Sequence, residues 1–177
     1  KELAQESVSL ESFGLRHKEY ALCTIHRQEN TDNPENLTNI FKALREINRD
    51  LPVVLPMHPR TRTRMSQLAG DVLEGLRVVR PLPYLDMQRL LMSSKVVLTD
   101  SGGMQKEAYF HEVPCITLRN ETEWMETVSA GWNQLAGANT DSIIQATIRP
   151  KPPAAAQAAL YGDGHAAEKV ASQIALA

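Results

Sequence analysis

Val96-Val97-Leu98-Thr99-Asp100-Ser101-Gly102-Gly103-Met104-Gln105-Lys106-Glu107-Ala108 decides how this chain is read. A β-branched apolar run ends in an acidic and a hydroxyl residue. Two glycines follow, and then a helix-forming series. Strand, glycine turn and helix start form a geometry that holds phosphate, because backbone N–H groups and the positive end of the helix dipole converge on one point. The glycines let those N–H groups approach an anion without a Cβ in the way. Glu107 lies about one turn inside the helix, where its carboxylate can reach neutral hydroxyls of the same ligand. Ribose and phosphate read by one element suggest a nucleotide attached to something else.

The strand that opens this stretch is one of several. Short apolar runs at 19–25, 52–56, 76–80, 95–99, 113–118 and, more weakly, 133–136 alternate with amphipathic segments. Residues 35–49 carry Leu37, Ile40, Phe41, Leu44 and Ile47 at helical spacing, opened by Asn33-Pro34. Residues 61–70, 85–93, 103–111 and 139–148 fill the remaining gaps as helices. Strands separated by helices of this length imply right-handed crossovers and a parallel sheet. Continuous apolar strands suit a sheet covered on both faces. The fold class is therefore α/β, with a Rossmann-like parallel sheet flanked by helices. Arg149-Pro150-Lys151-Pro152-Pro153 interrupts the pattern. Residues 1–150 are expected to form one Rossmann-like domain, and 151–177 a helical tail with helices over 154–160 and from His165 to about Ala175.

Composition sets the class. The 177 residues are 42% hydrophobic and 23% charged, ordinary for a globular domain with a real core. A net charge of −2 lacks the basic surplus of a nucleic-acid binder. No apolar run approaches the roughly 20 residues of a membrane span. The charged start, Lys1-Glu2-Leu3-Ala4-Gln5-Glu6, is no signal peptide and lacks an initiator methionine, which suggests a fragment or a processed product. Cys23 and Cys115 lie in apolar strands and read as buried free thiols. A reduced, cytoplasmic setting fits them. The five histidines show no ligand spacing, so no metal is expected. GxxxxGK[ST] is absent, as is GxGxxG after the first strand, so no dinucleotide cofactor is expected.

Ligands of such sheets bind at the carboxyl edge of the strands, and the polar residues cluster there. His26-Arg27-Gln28-Glu29-Asn30 follows the first strand and His58-Pro59-Arg60 the second. Pro81-Leu82-Pro83-Tyr84-Leu85 follows the third, Asp100-Ser101-Gly102-Gly103 the fourth and Arg119 the fifth. His26 can donate to a phosphate oxygen or move a proton near neutral pH, or simply cap its strand. Arg119 suits an anionic oxygen, or a salt bridge to a nearby glutamate. The 81–85 segment can hold a flat base or be an ordinary helix entry. His111 and His165 read as surface or structural histidines.

These motifs, with Leu118-Arg119-Asn120-Glu121-Thr122-Glu123-Trp124, occur together in an order and spacing that resembles the non-hydrolysing UDP-N-acetylglucosamine 2-epimerases and their relatives acting on UDP-diacetamido-uronic acids. The resemblance covers nearly the whole chain. It implies one half of a glycosyltransferase-B-like two-domain fold, namely the carboxyl-terminal, UDP-binding half, with the tail packing toward a further amino-terminal domain. It implies removal of the sugar C2 proton, expulsion of UDP to give 2-acetamidoglucal, and re-addition on the other face. The product would feed surface polysaccharide synthesis. By resemblance, Ser101, Gly102 and Gly103 hold the β-phosphate, Glu107 binds the ribose and the backbone at Tyr84 and Leu85 faces the uracil. His26 and Arg119 stabilise the leaving group, and Arg27 and His58 match positions that contact a second, activating UDP-sugar. The acid/base carboxylates belong to the other domain. The partners implied are UDP, a UDP-sugar and a second copy in a homodimer, with no cofactor. Lys106, Tyr109-Phe110 and Trp124 depart from the common pattern and leave the sugar open. On physical grounds the layout suits the nucleotide domain of a glycosyltransferase equally well, and a non-catalytic UDP-sugar sensor is the third reading.

Overall fold

The structure is a computed structural model that describes residues 10–65, 72–148 and 160–175. Six strands form one sheet: β1 (Ala21–Thr24), β2 (Val53–Pro56), β3 (Arg77–Val79), β4 (Val96–Thr99), β5 (Cys115–Thr117) and β6 (Asn133–Leu135). Each pairing is parallel, and the order across the sheet is β3-β2-β1-β4-β5-β6. The six expected strands are these six, trimmed by one to three residues at their ends. The connecting helices are α1 (Gln28–Thr31), α2 (Pro34–Ile47), α3 (Pro59–Met65), α4 (Tyr84–Ser93), α5 (Gly102–Phe110), α6 (Met125–Ser129) and α7 (Thr140–Ile148). A final helix, α8, spans Ala166–Ala175. The expected helical residues 66–70 and 154–159 lie outside the described residues.

Period-two alternation divides the strands between two cores. Ala21 and Cys23 face one side with Val53, Leu55, Val96 and Leu98, beneath the apolar stripe of α2 and Ile143 of α7. Leu22, Val54 and Val97 face the other side, against Leu90 and Leu91 of α4 and Met104 and Ala108 of α5. Both faces are covered, so β1, β2 and β4 are buried at every position. α2 starts where Asn33 Oδ1 accepts the N–H groups of Glu35 (3.0 Å) and Asn36 (3.2 Å), with Pro34 at the first helical position. Cys23 and Cys115 are free and buried. Burial pushes the Cys115 thiol up to about 12 and the Cys23 thiol well above its ordinary value. α8 buries none of its residues among the described ones, and Val170 and Ile174 stand in solvent.

Strand order reverses direction at the β1–β4 junction. The chain winds one way from β1 through β2 to β3 and the other way from β4 to β6. That junction is the topological switch point, where the outward loops diverge and open a crevice.

Candidate functional site

The crevice is built from the ends of β1 and β4. Their last residues meet where the Thr24 and Thr99 hydroxyls lie 2.7 Å apart. Asp100 follows directly and is completely buried. Its carboxylate accepts the backbone N–H of His26 (3.1 Å), the N–H of Arg27 (3.0 Å) and the side-chain amide of Asn30 (3.1 Å). His26 Nδ1 stands 3.5 Å from Asp100 Oδ1, close enough to feel its charge and long for a hydrogen bond. A buried carboxylate is tolerated only when donors satisfy it, and here the donors come from across the switch point. Asn30 also donates to the Leu118 carbonyl (2.9 Å), which draws the end of β5 into the same knot.

Ser101 is the N-cap of α5. Its hydroxyl accepts the Met104 N–H at a long 3.4 Å, and its own N–H donates to Thr99 Oγ1 (3.0 Å). The hydroxyl proton stays available for an acceptor above the turn. Gly102 is buried and Gly103 exposed at the mouth. A Cβ on Gly102 would lie 3.3 Å from both Glu123 Oε2 and Trp124 Nε1, so glycine lets the loop after β5 close against the turn.

Arg119 is held by carboxylates. Its guanidinium donates to Glu29 Oε1 (2.7 Å) and to both oxygens of Glu123 (3.1 Å), with Glu121 at 3.6 Å. Of the two readings the sequence left open, the salt bridge is the one made here. Burial draws the Arg119 pKa down, but the Glu123 hydrogen bond and the Glu29 and Glu123 charges outweigh it and leave the group above its ordinary value. The Glu123 backbone N–H, followed by Arg119, holds the Glu123 carboxyl below the usual carboxylate range.

Two clefts flank the junction. One, of about 220 Å³, is lined by His26, His58, Pro81, Leu82, Ser101 and Met104. The His26 and His58 rings face each other across it at 6.5 Å. The other, of about 500 Å³, is lined by Glu29, Asn30, Asn36, Arg119, Asn120 and Asn139. The geometry thus brings His26, His58, Ser101, Gly102 and Gly103 together, with Arg27 beside Gly102. Arg119 opens on the second cleft. Glu107 is half-buried one turn down α5, and among the described residues no ion pair engages it. Tyr84 and Leu85 project into solvent at the start of α4, and the apolar wall of the first cleft comes instead from Pro81, Leu82 and Met87. The sequence pattern does not mark Asp100, Asn30, Glu29 or Glu123 as site residues. Asp100 was visible as the acid between a strand and a hydroxyl, but nothing local revealed its partners. Among the described residues no cluster of His, Cys, Asp or Glu could hold a metal, and no helix is long and apolar enough to cross a membrane.

Fold and crevice define a doubly wound α/β domain with its polar groups gathered at the switch point. The model of the UDP-N-acetylglucosamine 2-epimerase family matches residues 1–175. A UDP-N-acetylglucosamine 2-epimerase homolog from Methanococcus maripaludis is 42% identical over 165 residues, 91% of this chain and 46% of that protein. The UDP-2,3-diacetamido-2,3-dideoxy-D-glucuronate 2-epimerase of Pseudomonas aeruginosa is 47% identical over 164 residues, 88% of this chain and 44% of that protein. The crystal structure of Methanocaldococcus jannaschii UDP-GlcNAc 2-epimerase, in complex with UDP-GlcNAc and UDP, superimposes with a TM-score of 0.83 at 32% identity, covering 99% of this chain and 51% of that one. The chain belongs to the UDP-N-acetylglucosamine 2-epimerase family. It spans about half the length of the curated relatives it matches, and its fold is the Rossmann-like half of a glycosyltransferase-B-like architecture.

Proposed function

We propose that this chain is the UDP-holding half of a UDP-sugar 2-epimerase. The observation that carries the reading is the switch-point crevice, in which a capped glycine turn opens α5 beside His26, in a family whose solved relative holds UDP-GlcNAc and UDP. Ser101, Gly102 and Gly103 take the β-phosphate, where N–H groups and the helix dipole oppose its charge. Glu107 takes the ribose hydroxyls, and the backbone at Tyr84 and Leu85 takes the base. In the reaction a base removes the C2 proton and the C1–O bond to UDP breaks, its electron pair leaving with the β-phosphate oxygen. Charge grows on that oxygen, so donors already in place lower the barrier. His26 is placed to donate there, and Arg119 reaches it by exchanging a glutamate for phosphate. The C2 acid/base groups lie outside this chain. Arg27 and His58 touch the sugar or an activating UDP-sugar.

The substrate is a UDP-2-acetamido sugar, either UDP-GlcNAc or a diacetamido-uronate. We place residues 1–150 as the nucleotide domain and 151–177 as a tail that packs on a further domain of a cytoplasmic homodimer supplying surface polysaccharide synthesis. Val170 and Ile174, exposed on α8, support that packing. Calorimetric titration with UDP tests the reading. Ser101→Ala and Glu107→Ala should each weaken binding by roughly 1–3 kcal/mol, and the 177-residue chain should bind UDP without epimerising UDP-GlcNAc. Ser101→Gly, which costs a helix cap only a few tenths of a kcal/mol, separates lost contact from lost capping. Unaltered affinity in both alanine variants would refute the assignment.

A further inference from the structure

Lys106, Tyr109, Phe110 and Trp124, the positions that depart from the common family pattern, are brought together by the fold. Lys106 Nζ sits 4.3 Å from the Trp124 ring centroid and 4.5 Å from that of Tyr161. Tyr161 packs edge-on against Trp124 (6.0 Å), Tyr109 (5.4 Å) and Phe110 (5.5 Å). A cation between two rings and a T-shaped aromatic cluster hold the indole in one orientation. In that orientation Nε1 is shielded from solvent, and among the described residues it has no hydrogen-bond acceptor. It lies 3.3 Å from the point a Cβ on Gly102 would occupy, directly beside the first turn of α5.

An indole N–H donates and cannot accept. A buried donor with no acceptor is costly, and such groups in a stable fold call for an explanation. Glu123 Oε2 lies 3.3 Å from that same point beside Gly102, but no hydrogen bond joins it to the indole; its oxygens accept from Arg119 instead. Gly102 and Gly103 add backbone donors to the same mouth. An anion with several free oxygens, bound at the glycine turn, would supply the acceptor that the indole lacks.

We propose that Trp124 Nε1–H is a phosphate donor of the glycine turn, positioned by Lys106 and Tyr161, and that binding of a nucleoside diphosphate uncovers it to a terminal phosphate oxygen. The inference rests on the UDP-binding reading above and adds a residue to it. The Lys106 charge lies over the ring face, so it fixes the donor and adds long-range attraction for the diphosphate. Tyr161 belongs to the segment leading into α8, so the contact also ties that segment to the nucleotide turn.

Trp124 and Trp132 are the two tryptophans of the chain, so their indole N–H resonances form a two-peak readout in a ¹⁵N-labelled sample. Titration with UDP should move the Trp124 indole proton downfield and leave Trp132 in place, whereas uridine should move neither. Trp124→Phe removes the indole N–H and keeps a smaller ring for Lys106 and Tyr161 to hold. It should weaken UDP binding about 10- to 100-fold, the range for a hydrogen bond to a charged group, with uridine affinity unaltered. An unmoved Trp124 resonance at saturating UDP, or Trp124→Phe binding UDP within about twofold of the parent, would overturn the proposal. The resonance test uses the unmodified chain, so it stands even if Trp124→Phe folds poorly. Loss of UDP affinity in Ser101→Ala with none in Trp124→Phe would remove this inference alone. Silence in both would remove the nucleotide reading as well.

Discussion

Replacing Asp100 by Asn tests the knot at the switch point. The change keeps shape and volume and turns one carboxylate oxygen into an NH2 group. Three donors, the His26 and Arg27 N–H groups and the Asn30 amide, converge on the carboxylate at 3.0–3.1 Å. Hydrogen bonds to a charged acceptor contribute about 1.5–3 kcal/mol each and neutral ones about 0.5–1.5. Losing the charge therefore costs about 1 kcal/mol per bond, about 3 in all, and relief from burying an ion offsets part of it. The expected net loss is about 2–3 kcal/mol, or roughly 4–12 °C in Tm for a domain of this size. Urea unfolding followed by circular dichroism should show a lower midpoint with an unaltered slope. Asp100→Ala should cost more, about 3–5 kcal/mol, because the donors lose every acceptor the side chain offers. Backbone exchange at His26 and Arg27 should accelerate in both variants. An Asp100→Asn protein within about 0.5 kcal/mol of the parent would show that the knot is not held by charge.

Gly137 has φ +61° and its missing Cβ would run into the Asn120 side chain, so Gly137→Ala should lower stability by more than the about 1–2 kcal/mol of left-handed strain alone; an unchanged melting temperature would refute this. Cys23 and Cys115 are buried with raised thiol pKa values, so at pH 8 a thiol reagent should label neither in the folded chain and both in urea; labelling of the native protein at the rate of free cysteine would contradict the burial. Glu123 titrates below its ordinary 4.5, so the stability it contributes is present above about pH 4.5 and is lost as pH falls through its lowered folded value. Glu123→Gln should remove that acid limb from the loop between Arg119 and Trp124, as read by amide chemical shifts, and an identical acid profile in the variant would exclude Glu123 as its source.

The sheet was readable because β1, β2 and β4 are covered on both faces and so carry unbroken apolar runs. α2 was readable because Leu37, Ile40, Phe41, Leu44 and Ile47 repeat at helical spacing, and all five are buried. α1 and α6 leave no trace in the sequence pattern because four or five residues are too few to show a period. Strand ends located the crevice, since position along the chain fixes which end of a parallel strand is the carboxyl end. The partners within it were not readable. Asp100 meets residues 70 to 74 positions away, and Arg119 meets Glu29 across 90. Those pairings follow from the order in which strands lie side by side, and a linear pattern of alternating strands and helices fits several orders. Tyr161 reaches α5 for a similar reason, because a tail can dock wherever its side chains fit.

The central pairing of the sheet has a kinetic consequence. β1 and β4 are joined through residues 75 apart, with Thr24 facing Thr99, and no pair of strands in this sheet is linked by a hairpin. Loop-closure entropy must be met before that contact returns anything. During synthesis β1 can find β2 early, but its other edge stays open until the residues after 99 have emerged. Through that interval a largely apolar strand keeps its backbone N–H and C=O groups unpaired along one edge, a state prone to join a neighbouring chain. The strand order that makes the crevice therefore also makes its construction the slow and exposed step of folding, with refolding yield expected to fall as protein concentration rises.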